Sequence, residues 1–292
     1  MSKASRILVS AATLVAAMTG PAAFAGQTVY AIGGGGSQLV RFDSDNPTAA
    51  TIVGAFNGAN IFLDAIDFRL SNGKLYGYLD STDSVYSIDL NTATLTLDST
   101  PPSAAPTNTF HVGMDFNPRI DRLRVITDSG QNIVYNPFAK TFGAFTNLFY
   151  GAGDPNANQI ANIIENAYTQ NIVAGVGTQQ YAIDYVLDVL VKLDNNAGTL
   201  TTVGALGVDT DVYTGFDIYT NAAGVDFAYA ILTGEAGPGG FYTINLATGA
   251  ATLVGGLGDL EQVYSLAVVI PAPASVLALL VPACLVRRRR NW

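Results

Sequence analysis

Cysteine is almost missing from this chain: of 292 residues only Cys284 carries a thiol, and it sits near the C-terminus. No disulfide can form within the body, and no thiolate metal centre can be assembled there. Histidine is as scarce. His111 is the sole imidazole, so a Ser-His-Asp hydrolase would have to use it, yet no GxSxG elbow stands in the body to supply the nucleophile. Positive charge is the third shortage, with 14 Lys and Arg against 23 Asp and Glu. Six of the 14 lie at the two ends (Lys3, Arg6 and Arg287 to Arg290), which leaves eight on the body and a formal charge there of −15. Phosphate binding needs cationic surface, so nucleic acid is not an expected partner. An acidic body suits solubility outside the cell and weak association with divalent cations.

What the chain does have is apolar material, 49% of residues against 13% charged, enough for a well-buried core. The ends are separate from that core. Residues 1–25 carry Lys3 and Arg6, the apolar run Ile7 to Met18 and the small-residue site Ala23-Phe24-Ala25. That order reads as a secretory signal peptide cleaved before Gly26. From Pro271 to Val286 the chain is again nearly all apolar, and Arg287 to Arg290 follow at once. This reads as a short membrane segment with cytoplasmic arginines, although it falls short of the roughly 20 apolar residues of a comfortable span. Residues 270–292 resemble the PEP-CTERM sorting tail of exopolysaccharide-producing bacteria, with Pro271-Ala272-Pro273 in place of the usual Pro-Glu-Pro. The resemblance implies an exosortase-type transpeptidase as a partner that removes the tail. An ordinary C-terminal anchor is the alternative.

Between the ends, residues 26–269 repeat. The stretch from Gly215 to Gly255 contains four short apolar runs separated by Gly, Asn, Pro and Thr clusters, the pattern of four antiparallel strands. Aligned on the innermost run, its relatives centre on residues 67, 115, 168, 217 and 267, with steps of 48, 53, 49 and 50. Four strands at a period near 50 predict a β-propeller. The third run of each unit ends on Asp or Asn, where a short polar side chain can bond its own turn. The first unit lacks an innermost strand and a spare one stands at Tyr264 to Val269, so the expected fold is an all-β five-bladed propeller closed by pairing of its terminal strands. A sandwich or two stacked sheets is the alternative.

The third unit departs most from the others. Gly113 to Pro137 holds three of the eight basic residues of the body, and a long connection, Phe138 to Glu165, follows it. Long insertions on a rigid scaffold often carry function. Here FNPxxDRLRV, DSGQN, NP, the stretch from Tyr150 to Asp154 and Ala167-Tyr168-Thr169 resemble the hallmarks of the bacterial exported family catalogued as domain of unknown function 4394. The resemblance covers nearly all of the body and implies a propeller, with no activity to carry over.

Asp67, Asp115 and Asp217 recur at one position on innermost strands. They could ring the channel and bind a cation, for which oxygen ligands suit calcium, or they could satisfy backbone N–H groups of their own or the next blade. The second reading is preferred; no cofactor is otherwise identified. His111 is expected near the mouth of an innermost strand. The cluster Asn117, Arg119, Asp121, Arg122, Arg124 and Asp128 could hold an acidic sugar through arginine, or could be cross-strand ion pairs. The expectation is an exported, monomeric, non-catalytic module for polysaccharide or surface-protein partners, in the cell envelope or outside it. A glycan hydrolase or lyase using channel carboxylates or a divalent ion is the alternative.

Overall fold

The computed structural model describes residues 26–57, 61–99, 111–172, 177–234, 239–260 and 262–270. The expected signal peptide, residues 1–25, and the expected sorting tail beyond residue 270 lie outside them. Alternating apolar runs broken by turn residues fold each repeat into an antiparallel meander, and five such sheets form a propeller. Blade 1 is built from β1 (Thr28–Gly33), β2 (Gln38–Asp43) and β3 (Asn46–Ala55). Blade 2 follows as β4 (Ala65–Arg69), β5 (Lys74–Leu79), β6 (Ser84–Ile88) and β7 (Leu95–Leu97). Blade 3 is β8 (Val112–Asn117), β9 (Arg122–Thr127), β10 (Asn132–Asn136) and β11 (Thr141–Ala144). Blade 4 runs from β12 (Phe149–Tyr150) through β13 (Ile163–Tyr168), β14 (Gln180–Asp184) and β15 (Val189–Asp194) to β16 (Thr199–Ala205). Blade 5 is β17 (Gly215–Thr220), β18 (Asp226–Leu232), β19 (Gly240–Ile244) and β20 (Ala251–Gly256), and β21 (Tyr264–Val268) ends the ring.

Closure is as the repeat count requires. β21 pairs antiparallel with β1, with Tyr30 opposite Ala267, so the C-terminal strand becomes the innermost strand of the first blade. This pairing leaves neither end with an open inner edge. Five apolar clusters fill the five junctions between blades. Innermost strands are buried along their whole length, as in β17, whereas outer strands such as β20 are largely exposed. The polar residues closing the third strands behave as expected. Asp89, Asn136 and Asn245 each accept a backbone N–H two residues on, the Asx turn that fixes the hairpin.

Two expectations need correction, both in blade 4. The register places Ala167, not Tyr168, opposite Tyr181, at the level of Asp67, Asp115, Asp217 and Ala267. A bulge between Ile163 and Glu165 inserts the extra residue, and one residue of slip moves every side chain to the other face. The long connection after Phe138 is also not a free functional loop. It supplies β11, then β12, which adds in parallel to the outer edge of β16. The Tyr150 hydroxyl donates to Asp184 at 2.7 Å, and Asp154 accepts the Thr202 N–H at 2.7 Å, so the segment straps blade 4.

Candidate functional site

Five innermost strands converge on a narrow axis, and side-chain size there is dictated by the approach of neighbouring backbones. Two residues before the aspartate level stand Ala65, Gly113, Glu165, Gly215 and Ser265. A Cβ on Gly113 would lie 2.5 Å from the Glu165 Cα, and one on Gly215 would lie 3.0 Å from the Ser265 Cα. Both positions are thus held to glycine by close backbone approach. Glu165 is the single long side chain of that level, and it is buried.

The level below holds the three aspartates, all buried, with one carboxylate oxygen of each within 4.8 Å of the others. Each innermost strand turns an unpaired N–H toward the axis one residue later, and three carboxylates satisfy all five. Asp67 accepts from Phe116 of the next blade at 2.7 Å and from its own neighbour Phe68. Asp115 accepts from Tyr168 at 2.7 Å. Asp217 accepts from Val268 and from Ile218, both at 2.6 Å. Blades 4 and 1 carry Ala167 and Ala267 at this level, which is why Asp217 and Asp67 each serve two donors. Burial pushes the Asp67 carboxyl up to about 7. It raises Asp115 and Asp217 as well, with the other carboxylates adding to the push, and Asp67 and Asp115 share a hydrogen bond. Raised carboxyls this close together favour keeping a proton between them.

Above Glu165 the channel opens into a cavity of about 80 Å³ to which every blade contributes. Asp64 comes from blade 2, His111 from the approach to blade 3, Glu165 from blade 4, Tyr213 and Thr214 from the approach to blade 5, and Tyr264 from blade 1. The Tyr264 hydroxyl donates to the Leu63 carbonyl at 3.0 Å. Gly36, at φ +101°, lets the Gly34–Gly36 turn pass so close that a Cβ would be 2.7 Å from that hydroxyl. The Tyr213 and Tyr264 rings lie 5.8 Å apart, tilted by 51°. Burial raises Asp64 to about 7, and the nearby Asp80 charge adds to this. It raises Glu165 well above its ordinary value against the Ser265 hydroxyl bond, and it lowers His111.

The structure disperses the basic cluster. Asn117 is buried at the far end of β8 from the cavity and accepts the Arg119 N–H at 2.9 Å. Asp121 pairs with Arg69 of blade 2 at 2.6 Å. That guanidinium and the Ser71 hydroxyl outweigh burial and hold its carboxyl below the usual range. Arg122 bonds the Ile120 and Asp121 carbonyls and lies over the exposed Phe138 ring. Arg124 is buried between blades 3 and 4, where it donates to the Tyr168 hydroxyl, the Asn132 side chain, the Asn195 carbonyl and Asn196. Asp128 stands at the opposite end of β9, its N–H on the His111 carbonyl at 3.2 Å. Among the described residues, the one ion pair made by a member of the cluster runs from Asp121, in the turn between β8 and β9, to Arg69 at the end of β4 in the adjacent blade. Of the residues singled out from sequence, only His111 lines the cavity, with Asp128 close by. Asp64, Glu165, Tyr213, Thr214 and Tyr264 were not anticipated.

No curated protein matches the chain. Solved structures resemble it only distantly. A chain of the Kuenenia stuttgartiensis hydrazine synthase is 13% identical over 65% of this chain and 47% of its own length, with a TM-score of 0.40. This protein thus spans about half of that chain. A 6-phosphogluconolactonase-like protein from Bacteroides uniformis is 13% identical over 80% of this chain and 82% of its own, TM-score 0.40. A protein from Lactobacillus plantarum is 12% identical over 82% and 98%, TM-score 0.40. These likenesses extend to the fold alone. The family profile of the domain of unknown function DUF4394 matches residues 38–267, and the chain belongs to that family.

Proposed function

We propose that the protein is an exported, non-catalytic binding propeller that holds a sugar unit of an extracellular polysaccharide at the mouth of its channel. The observation that carries this reading is the cavity itself, with two tyrosine rings and the polar groups Asp64, His111, Glu165 and Thr214 converging from five blades. An aromatic wall beside a few placed acceptors is the usual composition of a ligand pocket. The room, about 80 Å³, suits one functional group with the rest of the sugar outside. Acid–base hydrolysis needs two carboxyls pushed apart in pKa, whereas burial moves Asp64 and Glu165 in the same direction.

The test is affinity electrophoresis of the full chain against neutral, acidic and amino polysaccharides, with reducing-end release measured in parallel. Retardation without cleavage, lost in Tyr213→Ala, is expected. Cleavage would replace the binding reading with the enzymatic one. Export rests on the N-terminal segment, and retention on the tail, through a sorting enzyme or as an anchor. Deleting Arg287 to Arg290 should change how the protein fractionates between envelope and medium; unchanged fractionation counts against a sorting role. The propeller buries its own inner edges, and the protein is expected to elute as a monomer.

A further inference from the structure

We infer that the group seated in the mouth cavity is a primary ammonium, so that the polysaccharide is one carrying free amino sugars; this rests on the glycan-binding reading above. The cavity has acidic walls and no fixed cation. Asp64 and Glu165 line it, and Asp80, Asp128 and Asp211 are near enough to act on His111. No Lys or Arg is among its lining residues, and the one imidazole is driven toward its neutral form by burial. The buried guanidinium of Arg124 is spent on Tyr168 and the asparagines of blades 3 and 4, and that of Arg69 on Asp121.

The walls also select among cations. Tyr213 and Tyr264, whose rings pack together at 5.8 Å, both line the opening, and aromatic rings attract an ammonium through their quadrupole. A hard divalent ion instead wants several oxygens converging on one point. Among the described residues the only trio of ligand atoms within 4.8 Å is Asp67, Asp115 and Asp217, whose oxygens already accept the five inner-strand N–H groups. The mouth acids form no such trio. Burial disfavours the charged form of Glu165 in the empty cavity; an ammonium seated above it favours the ionised form, and the carboxyl proton then leaves to solvent.

Calorimetric titration of the full chain with a glucosamine tetramer and with its N-acetylated counterpart, in two buffers of different ionisation heat at pH 5.5, where the sugar amines are already ammonium, tests this. The free-amine oligomer should bind at least about tenfold tighter, since charge-assisted hydrogen bonds are roughly twice as strong as neutral ones, and it should release protons. Glu165→Gln should remove the preference and the proton release. Should that variant not fold, Asp64→Asn at the partly exposed wall should reduce the preference for the free amine while proton release from Glu165 persists, its fold being checked by its melting curve. Equal binding of both oligomers, or binding without proton release, overturns the ammonium assignment and leaves the glycan reading standing. Ethanolamine binding with no oligomer bound keeps the ammonium pocket and sinks the glycan reading. Stoichiometric calcium displacing the tetramer overturns the ammonium in favour of a metal.

Discussion

Two levels of one channel handle buried acid in opposite ways. In the lower, Asp67, Asp115 and Asp217 spend their oxygens on five strand N–H groups, and Asp67 and Asp115 also bond one another. In the upper, Glu165 and Asp64 face a cavity. Burial raises the carboxyls of both levels, so an elevated pKa alone does not mark a binding site. What separates them is that the upper acids, although Asp64 accepts the Asp80 N–H and Glu165 bonds Ser265, also border a cavity. The lower level is a closing device that fastens blade 2 to 3, 3 to 4 and 5 to 1; the upper level has room left over.

The sharpest way to break this contrast is to remove an acceptor below. Asp217→Ala leaves the Ile218 and Val268 N–H groups buried without partners, at about 1–3 kcal/mol each. The melting temperature should fall by roughly 5–10 °C, at about 2–4 °C per kcal/mol for a domain of this size. Asp217→Asn keeps an acceptor oxygen and should recover most of that loss. If the alanine variant melted like the parent, the lower level would not be holding the ring together. Asp115→Ala strands only the Tyr168 N–H and should cost about half as much.

Next in size is the pH dependence. Burial raises Asp64 and Asp67 to about 7 and pushes Asp115, Glu165 and Asp217 upward too. Unfolded carboxyls titrate near 4, so between about pH 4 and pH 7 the folded chain holds the more protons. The stability these groups contribute is complete below about pH 4 and is lost as pH rises through the raised values. Melting temperatures should decline from pH 5 to pH 8, less steeply in Asp115→Asn. A profile rising over that range would refute the shared-proton description.

Much of this architecture was legible in the chain. The Ile66-Asp67-Phe68, Met114-Asp115-Phe116 and Phe216-Asp217-Ile218 triplets mark the axis because the same orphan donors recur in every blade. The ring closure of residue 267 on residue 30 followed from counting strands. The mouth was not legible, for two reasons. Its residues come one or two per blade from positions spread between 64 and 264, so no local motif contains them. In addition, the bulge in β13 hid the informative comparison. In the true register Glu165 aligns with Ala65, Gly113, Gly215 and Ser265, a single long acid among small residues; in the slipped register Asn166 stands there instead. The basic cluster misled because sequence proximity on β8 and β9 was taken for spatial proximity, while the strands run their full length from one end of the ring to the other.

The smallest expected effect belongs to one of the two junctions that have no aspartate bridge from one blade to the next, the other lying between blades 4 and 5. Between blades 1 and 2, Ala267 offers no acceptor, and the Ser265 hydroxyl oxygen accepts the Ile66 N–H at 3.1 Å while also bonding Glu165. Ser265→Ala should therefore cost only about 1 kcal/mol, one ordinary hydrogen bond, less than any acceptor lost from the aspartate level. It should also raise the Glu165 carboxyl further, since the serine bond favours the ionised form, and so shift upward the pH at which the amino-sugar oligomer binds half-maximally. A variant that lowered stability but left that midpoint in place would show the serine to be a junction fastener only, and would separate the two levels more cleanly than the parent protein does.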